Sequence, residues 1–274
     1  MIEDFSRNLC LLKKEFAKTY VGTSHIQEFL PITKSKEFPI EQNHLELLHM
    51  FAQKNPIYHN YYSQQILDVP CIIYEGDINE YWLNSIKHGS SCQPFYPTWI
   101  FSAYLLALIS KNLGVQEIVD IGSGDGRIAY CGKILGLTSY GFEIDDVLFE
   151  LQKTIRSSTK IDFNPNCTDA LEFDYSSLPL SNPVFFIGGL PQMGGDILAD
   201  GIIDKISLTE LRSNTCFVFA GSNSKRHLSS NQELGGWLHT MNKKNLKEVT
   251  TAFLPTVWTF DQETETPYIF TRFD

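Results

Sequence analysis

The sequence is short of positive charge: its 274 residues carry 22 Lys+Arg against 32 Asp+Glu, a formal charge of −10. The deficit runs along the whole chain, with 8 basic against 11 acidic residues over 1–90 and 14 against 21 over 91–274. Lys13-Lys14, Lys34 with Lys36 and Lys243-Lys244 are isolated groups of the kind found on solvated faces, so no nucleic-acid partner is expected. Long apolar runs are missing as well. The longest, Trp99 to Ile109, is too short for a membrane span of about 20 residues. The amino-terminal Met1-Ile2-Glu3-Asp4 is acidic where a secretion signal is basic and then apolar. The six cysteines, Cys10, Cys71, Cys92, Cys131, Cys167 and Cys216, form no CxxC pair and no zinc-binding spacing, and several sit in apolar runs. They predict buried free thiols in a reducing compartment, hence a cytoplasmic protein with no metal and no membrane attachment. Neither HExxH nor GxSxG occurs, so metalloprotease and serine-hydrolase chemistry has no support.

What is present is a chain that is 43% hydrophobic, enough for one catalytic domain of about 150 to 200 residues and an extension. Phe5, Leu9, Leu12 and Phe16 mark one face of a first helix. Asn43 with Glu46 suggests a capping box that opens a second, which stops before Asn55-Pro56; Asp77 and Glu80 suggest a third. The tyrosine-rich segment from Ile57 to Tyr74 has no clear period. Turn formers cluster at His88-Gly89-Ser90-Ser91-Cys92-Gln93-Pro94, which predicts a mainly helical extension over 1–90 and a separate domain over 91–274. In that domain a helix runs from Pro97-Thr98 to Lys111 and stops at Gly114. Strands are expected at Glu117–Ile121, Ser139–Phe142, between Ile161 and Cys167, at Pro183–Ile187 and at Cys216–Ala220, alternating with helices. A helix near Gln232–Lys243 then precedes two β-like runs, 247–253 and 267–273. This is an α/β, Rossmann-like pattern: a parallel sheet covered on both faces and finished by a hairpin-like pair.

The stretch Val119-Asp120-Ile121-Gly122-Ser123-Gly124-Asp125-Gly126-Arg127 carries the most chemical information. Glycines at every second position allow positive φ and close approach of backbone N–H groups to a ligand, which a Cβ at Gly122, Gly124 or Gly126 would obstruct. A dinucleotide fingerprint would place its third glycine where Arg127 stands, and no Gly-Lys-Ser/Thr follows for a phosphate loop. The spacing resembles the loop that class I methyltransferases wrap around S-adenosylmethionine (SAM). Glu143, at the tip of the second strand, is placed to accept both ribose hydroxyls, or else it or Asp145 caps the next helix. Asp169, after the third strand, faces the adenine amino group or is a turn aspartate. Gly188, Gly189 and Gln192 follow the fourth strand. The Asn/Asp-Pro-Pro-Tyr motif of DNA and glutamine methyltransferases is absent there, leaving backbone carbonyls and Gln192 as acceptors for a substrate N–H, or a plain strand-to-helix turn.

Assembled, these marks resemble the class I branch that contains small archaeal protein-lysine methyltransferases and the mitochondrial lysine methyltransferases of ATP synthase subunit c and the adenine nucleotide translocase. The resemblance covers roughly residues 94–261. It rests on Pro94-Phe95-Tyr96-Pro97-Thr98, the glycine loop through Ile128, Gly141-Phe142-Glu143, Ile187-Gly188-Gly189-Leu190-Pro191-Gln192-Met193 and Thr256-Val257-Trp258-Thr259-Phe260-Asp261. It implies a seven-stranded sheet and SAM as cofactor, held by Tyr96, Thr98, Asp120, Gly122, Ser123, Gly124, Gly126, Glu143, Asp169 and Gly188. It further implies methyl transfer to a lysine of a protein partner, with Tyr96, Gln192 and Trp258 at the reacting groups. Tyr96, Trp99 and Trp258 either line an amine channel or pack in the core, and for Trp99 the core is expected. Residues 1–90 have no counterpart in that branch. A small-molecule N- or O-methyltransferase and a SAM-binding protein without catalysis are the alternatives.

Overall fold

The structure, a computed structural model, describes residues 2–85, 94–222, 225–257 and 265–274. Most of the turn-rich boundary segment, 88–93, lies outside them.

Helix α1 (Ile2–Thr19) buries Phe5, Leu9, Leu12 and Phe16, the face predicted from their spacing. Helix α2 (Gln42–Lys54) ends at Asn55 as expected, but Glu41 is its N-cap and makes no side-chain bond, so the Asn43/Glu46 capping box does not form. Helix α3 (Asn79–Ser85) follows Asp77, whose side chain accepts from the Asn79 N–H at 2.7 Å. Between these helices the extension departs from the mainly helical expectation. Strands β1 (Ile26–Pro31), β2 (Tyr58–Ile66) and β3 (Val69–Gly76) form an antiparallel sheet in the order β1-β3-β2. The missed elements are β1 and the β2–β3 hairpin. β2 is an edge strand exposed along most of its length, so it has no buried face to impose the two-residue hydrophobic alternation that marks a strand.

The second part alternates as its sequence predicts. Helix α4 (Ile100–Asn112) leads to β4 (Glu117–Ile121), α5 (Arg127–Ile134), β5 (Thr138–Glu143), α6 (Asp146–Thr159) and β6 (Asn164–Cys167). Then come β7 (Pro183–Ile187), α7 (Gly195–Ser207), β8 (Cys216–Ala220), α8 (Leu238–Lys243), β9 (Leu246–Pro255) and β10 (Glu265–Phe273). The helix expected near Gln232 is shorter: a single 3-10 turn at Gln232–Leu234 precedes α8.

The seven strands are ordered β6-β5-β4-β7-β8-β10-β9, with β10 antiparallel to both neighbours and the first five parallel. Alternate residues of the central strands feed two cores. Ile118, Val184, Phe186 and Val218 join one, while Val119, Ile121, Phe185 and Phe217 join the other. The first core is continuous with the extension, taking in Phe5, Leu9, Phe16, Phe29, Leu45 and Phe51. Phe5 meets Phe101 edge-on with ring centres 5.1 Å apart, and Phe51 meets Tyr130 at 4.8 Å. Helix α4 therefore lies buried between extension and sheet, which is why its sequence is apolar on every side.

Cys71, Cys131 and Cys216 are buried free thiols, but Cys167 at the end of β6 is exposed, contrary to the reading from apolar context. Among the described residues no helix is long and apolar enough to cross a membrane, and no group of three or more His, Cys, Asp or Glu could hold a metal ion.

Candidate functional site

The chain proceeds from β4 to β5 and β6 on one side and from β7 to β8 on the other. The order reverses between β4 and β7, and in such sheets ligands bind outside the carboxyl ends of the strands at that point. A cleft of about 360 Å³ opens there, lined by residues of 94–98, the glycine loop, the β5 tip, 168–171 and 186–198.

Gly122, Gly124 and Gly126 hold φ angles of 69°, 56° and 79°, a region that other residues enter only with strain. They are not equivalent. A Cβ on Gly122 would meet only the Gly188 Cα, at 4.0 Å, whereas one on Gly124 would lie 2.5 Å from the Phe95 ring and one on Gly126 2.9 Å from the Phe163 ring. Gly122 faces the open cleft, while the other two are closed by packing. Gln152, fully buried on α6, braces the loop by donating to Ser123 Oγ at 2.9 Å and to the Gly124 carbonyl at 2.8 Å.

Glu143 is held rigidly at the cleft wall. Its Oε2 accepts from the Gly124 N–H at 2.8 Å, and its Oε1 accepts from the N–H groups of Ile144 at 2.9 Å and Asp145 at 3.1 Å. Burial raises its pKa above the ordinary carboxylate value, and these three donors oppose the rise. Asp145, not Glu143, caps α6, accepting from Val147 and Leu148 at 2.9 and 3.0 Å. Glu143 is thus left to face the cleft. Asp120 is 4% exposed, and burial followed by the charges of Glu143 and Asp125 pushes it well above the carboxylate range.

Thr98 lines the cleft, with its Oγ1 3.0 Å from Tyr268 Oη, a group that burial pushes up to about 12. Tyr96 also lines the cleft and is 42% exposed. Gly188 closes the seam between β4 and β7, donating to the Ile121 carbonyl at 2.9 Å. Asp169 lines the cleft and forms the turn that its type suggested, its Oδ1 accepting from the Leu171 N–H at 2.8 Å.

Gln192 departs from expectation. It is exposed on the turn Pro191–Met193 and does not line the cleft, although Leu190 and Met193 do. The three residues of this 3-10 turn point in different directions, and of them only Met193 reaches the cleft. Trp258 lies outside the described residues. Trp99 is core, 2% exposed, with its ring centre 5.0 Å from that of Phe29.

The residues missed by sequence reasoning come from the extension. Arg127, 3% exposed, donates through Nη1 to Glu28 Oε1 at 2.7 Å and through Nη2 to Asp125 Oδ2 at 2.6 Å. It also bonds the Thr98 carbonyl and, at 3.2 Å, Tyr58 Oη. Glu28 in turn accepts from the Ile100 N–H at 3.0 Å, and Asn55 donates to Asp125 Oδ2 at 2.9 Å. The glycine loop and the segment 94–98 that flank the cleft are therefore tied to the extension through one buried cation. No local pattern signals these partners.

The strand order with β10 inserted antiparallel between β8 and β9, and the glycine loop at the end of β4, decide the fold. It is the class I methyltransferase fold. No family model matches the sequence. No curated protein matches it either. Among solved structures the chain is similar to the Pyrococcus abyssi tRNA (uracil-54, C5)-methyltransferase in complex with S-adenosyl-L-homocysteine, at 14% identity and a TM-score of 0.45, over 78% of this chain and 44% of that one. It is similar to a putative O-methyltransferase from Klebsiella pneumoniae at 13% identity and 0.46, over 72% and 89%. It is also similar to M. jannaschii TYW2 in complex with AdoMet, at 12% identity and 0.46, over 63% and 74%.

Proposed function

We propose that this chain is a SAM-dependent methyltransferase that methylates a lysine side chain of a protein partner. The observation that carries the cofactor is the pairing of Gly122 with Glu143: an open, Cβ-free position with positive φ beside a carboxylate already oriented by three backbone donors. An ionised carboxylate offers about four acceptor sites and three are taken by backbone donors, so Glu143 retains capacity for one ribose hydroxyl. The cleft volume of about 360 Å³ falls within the usual range for small-ligand sites. Asp125 is neutralised by Arg127 and burial holds Asp120 toward its neutral form, so Glu143 is the carboxylate that gives the loop its negative field. That field favours the sulfonium of SAM, which supplies an electrophilic methyl group.

Charge also supports the acceptor. The only basic residue lining the cleft, among the described residues, is Arg127, and its guanidinium is spent on Glu28, Asp125 and Thr98. A phosphate backbone would find no free cation there, whereas an amine would meet no free like charge. In the transfer, the nitrogen lone pair forms the new N–C bond as the C–S bond breaks and sulfur keeps the electron pair. A lysine, with pKa about 10.4 in water, must first lose its proton, and the half-buried surroundings of Tyr96 disfavour charge. Alignment of nitrogen, methyl and sulfur by a rigid cleft can supply up to roughly 7 to 11 kcal/mol.

Incubation of the purified protein with methyl-labelled SAM and a cell lysate tests the reading. Label on lysine in a protein band is the expected result. Label confined to RNA or to metabolites would overturn the lysine acceptor, and SAM binding without any transfer would favour a non-catalytic role.

A further inference from the structure

A second cavity, of about 390 Å³, lies between the extension and the methyltransferase sheet. Its walls come from the end of α1, from 22–27 leading into β1, and from Tyr96, Trp99 and Val257. Tyr96 is the one residue that lines both this cavity and the cleft. Among the described residues no Lys or Arg lines it.

The polar wall is already assembled. Tyr20 Oη lies 2.6 Å from Ser24 Oγ and donates to Glu75 Oε1 at 2.7 Å, and Gln27 Nε2 donates to Ser24 Oγ at 3.0 Å. Glu75 also takes a bond from Asn60 at 2.8 Å, and His25 lies 3.1 Å from Asp77 at the rim. Glu75 stands behind Gly22, where an added Cβ would come within 2.5 Å of its Oε1. The Tyr20–Ser24 side of the cavity is therefore backed by the Glu75 carboxylate, and the other side includes Tyr96 and Trp99.

Resting on the methyltransferase reading above, we propose that this cavity is the acceptor port and that it admits a lysine side chain as its ammonium. The Tyr20–Ser24–Glu75 wall attracts the cation, and the aromatic faces accommodate it by cation–π contact. Past the edge of Tyr96 the surroundings disfavour charge, so there the ammonium gives its proton to water through the open mouth and the neutral amine meets the cleft. The extension, absent from the branch that the catalytic part resembles, is on this view the specificity element of the enzyme.

The test uses the full chain saturated with S-adenosylhomocysteine and carrying Ser24→Cys. Alkylation of the new thiol is timed at pH 7.5 with and without Nα-acetyl-lysine methylamide, and with the norleucine analogue, which has the same chain length without charge. At least fivefold slowing by the lysine probe, none by norleucine, and loss of the slowing on adding Glu75→Gln are expected. Equal rates with and without the lysine probe, or equal protection by norleucine, would overturn the port. In parallel, Ser24→Trp should leave S-adenosylhomocysteine affinity within twofold and cut methyl transfer at least tenfold; transfer at the wild-type rate would also overturn it. Failure of the wild-type chain to bind S-adenosylhomocysteine would instead remove the underlying cofactor reading, and label on RNA alone would remove the ammonium class.

Discussion

Arg127, the first residue of α5, places its Nη1 2.7 Å from Oε1 of Glu28, a residue of β1 that lies 99 positions earlier in the chain. Both side chains are almost wholly buried. The cluster holds one cation and two carboxylates, and Asp125 already balances the guanidinium. Burial accordingly pushes Glu28 up to about 7 even though Arg127 and the Ile100 N–H pull it down.

That shift has a sign. The folded protein keeps a proton on Glu28 that the unfolded chain has lost between the ordinary carboxylate value and about 7. Its contribution is therefore greatest at acid pH, falls as pH climbs through that window and levels off above it. Thermal melts between pH 5 and 8 should show this decline, and Glu28→Gln should flatten it. An unchanged slope in the variant would assign the decline to another group.

Arg127→Met removes the only cation from two buried carboxylates and should cost about 3 to 5 kcal/mol in urea unfolding, against a much smaller loss for Glu28→Gln. The same reasoning applies to the extension as a whole. A chain starting near residue 90 would expose the first core and leave Arg127 without Glu28, so it should be insoluble or unfolded by circular dichroism. A soluble, active truncation would show the extension to be dispensable.

Gly122 and Gly124 should behave differently on substitution. Gly122→Val projects into the open cleft, so calorimetry should find S-adenosylhomocysteine binding abolished, with a stability loss of about 1 to 3 kcal/mol from the positive φ. Gly124→Ala collides with Phe95, and its main effect should be on stability. The reverse order of effects would place the cofactor elsewhere.

Glu143→Gln should weaken binding by about 1 to 3 kcal/mol, because a charge-assisted acceptor becomes a neutral amide. Because burial raises the Glu143 pKa, wild-type affinity should fall on acidification at a higher pH than for an ordinary carboxylate, and the variant should lack that dependence. Calorimetric titration with S-adenosylhomocysteine across pH 4.5 to 7.5 measures both.

Tyr96→Phe and Trp258→Ala should reduce turnover more than cofactor affinity, since the family resemblance implies that both meet the acceptor. A split between kcat and the S-adenosylhomocysteine Kd checks this. Equal losses in both quantities would assign the residues to cofactor binding or to folding.

The sequence by itself determined the seven-stranded half of this protein. Strands Glu117–Ile121, Pro183–Ile187 and Cys216–Ala220 fall where their apolar runs place them, because a central parallel strand is buried on both faces and carries that burial in its composition. The glycine loop and Glu143 are legible for a related reason: a run of positive φ and a carboxylate at a strand tip each leave a local mark in the sequence. Tertiary structure decided the rest. The edge strand β2 is exposed and carries no alternation, Gln192 turns away from the cleft on a three-residue turn, and only packing distinguishes Gly122 from Gly124. The Glu28–Arg127 pair and the cavity beside Tyr96 join segments far apart in the chain, and a contact of that kind depends on the folded geometry of both partners, which no local stretch of sequence encodes.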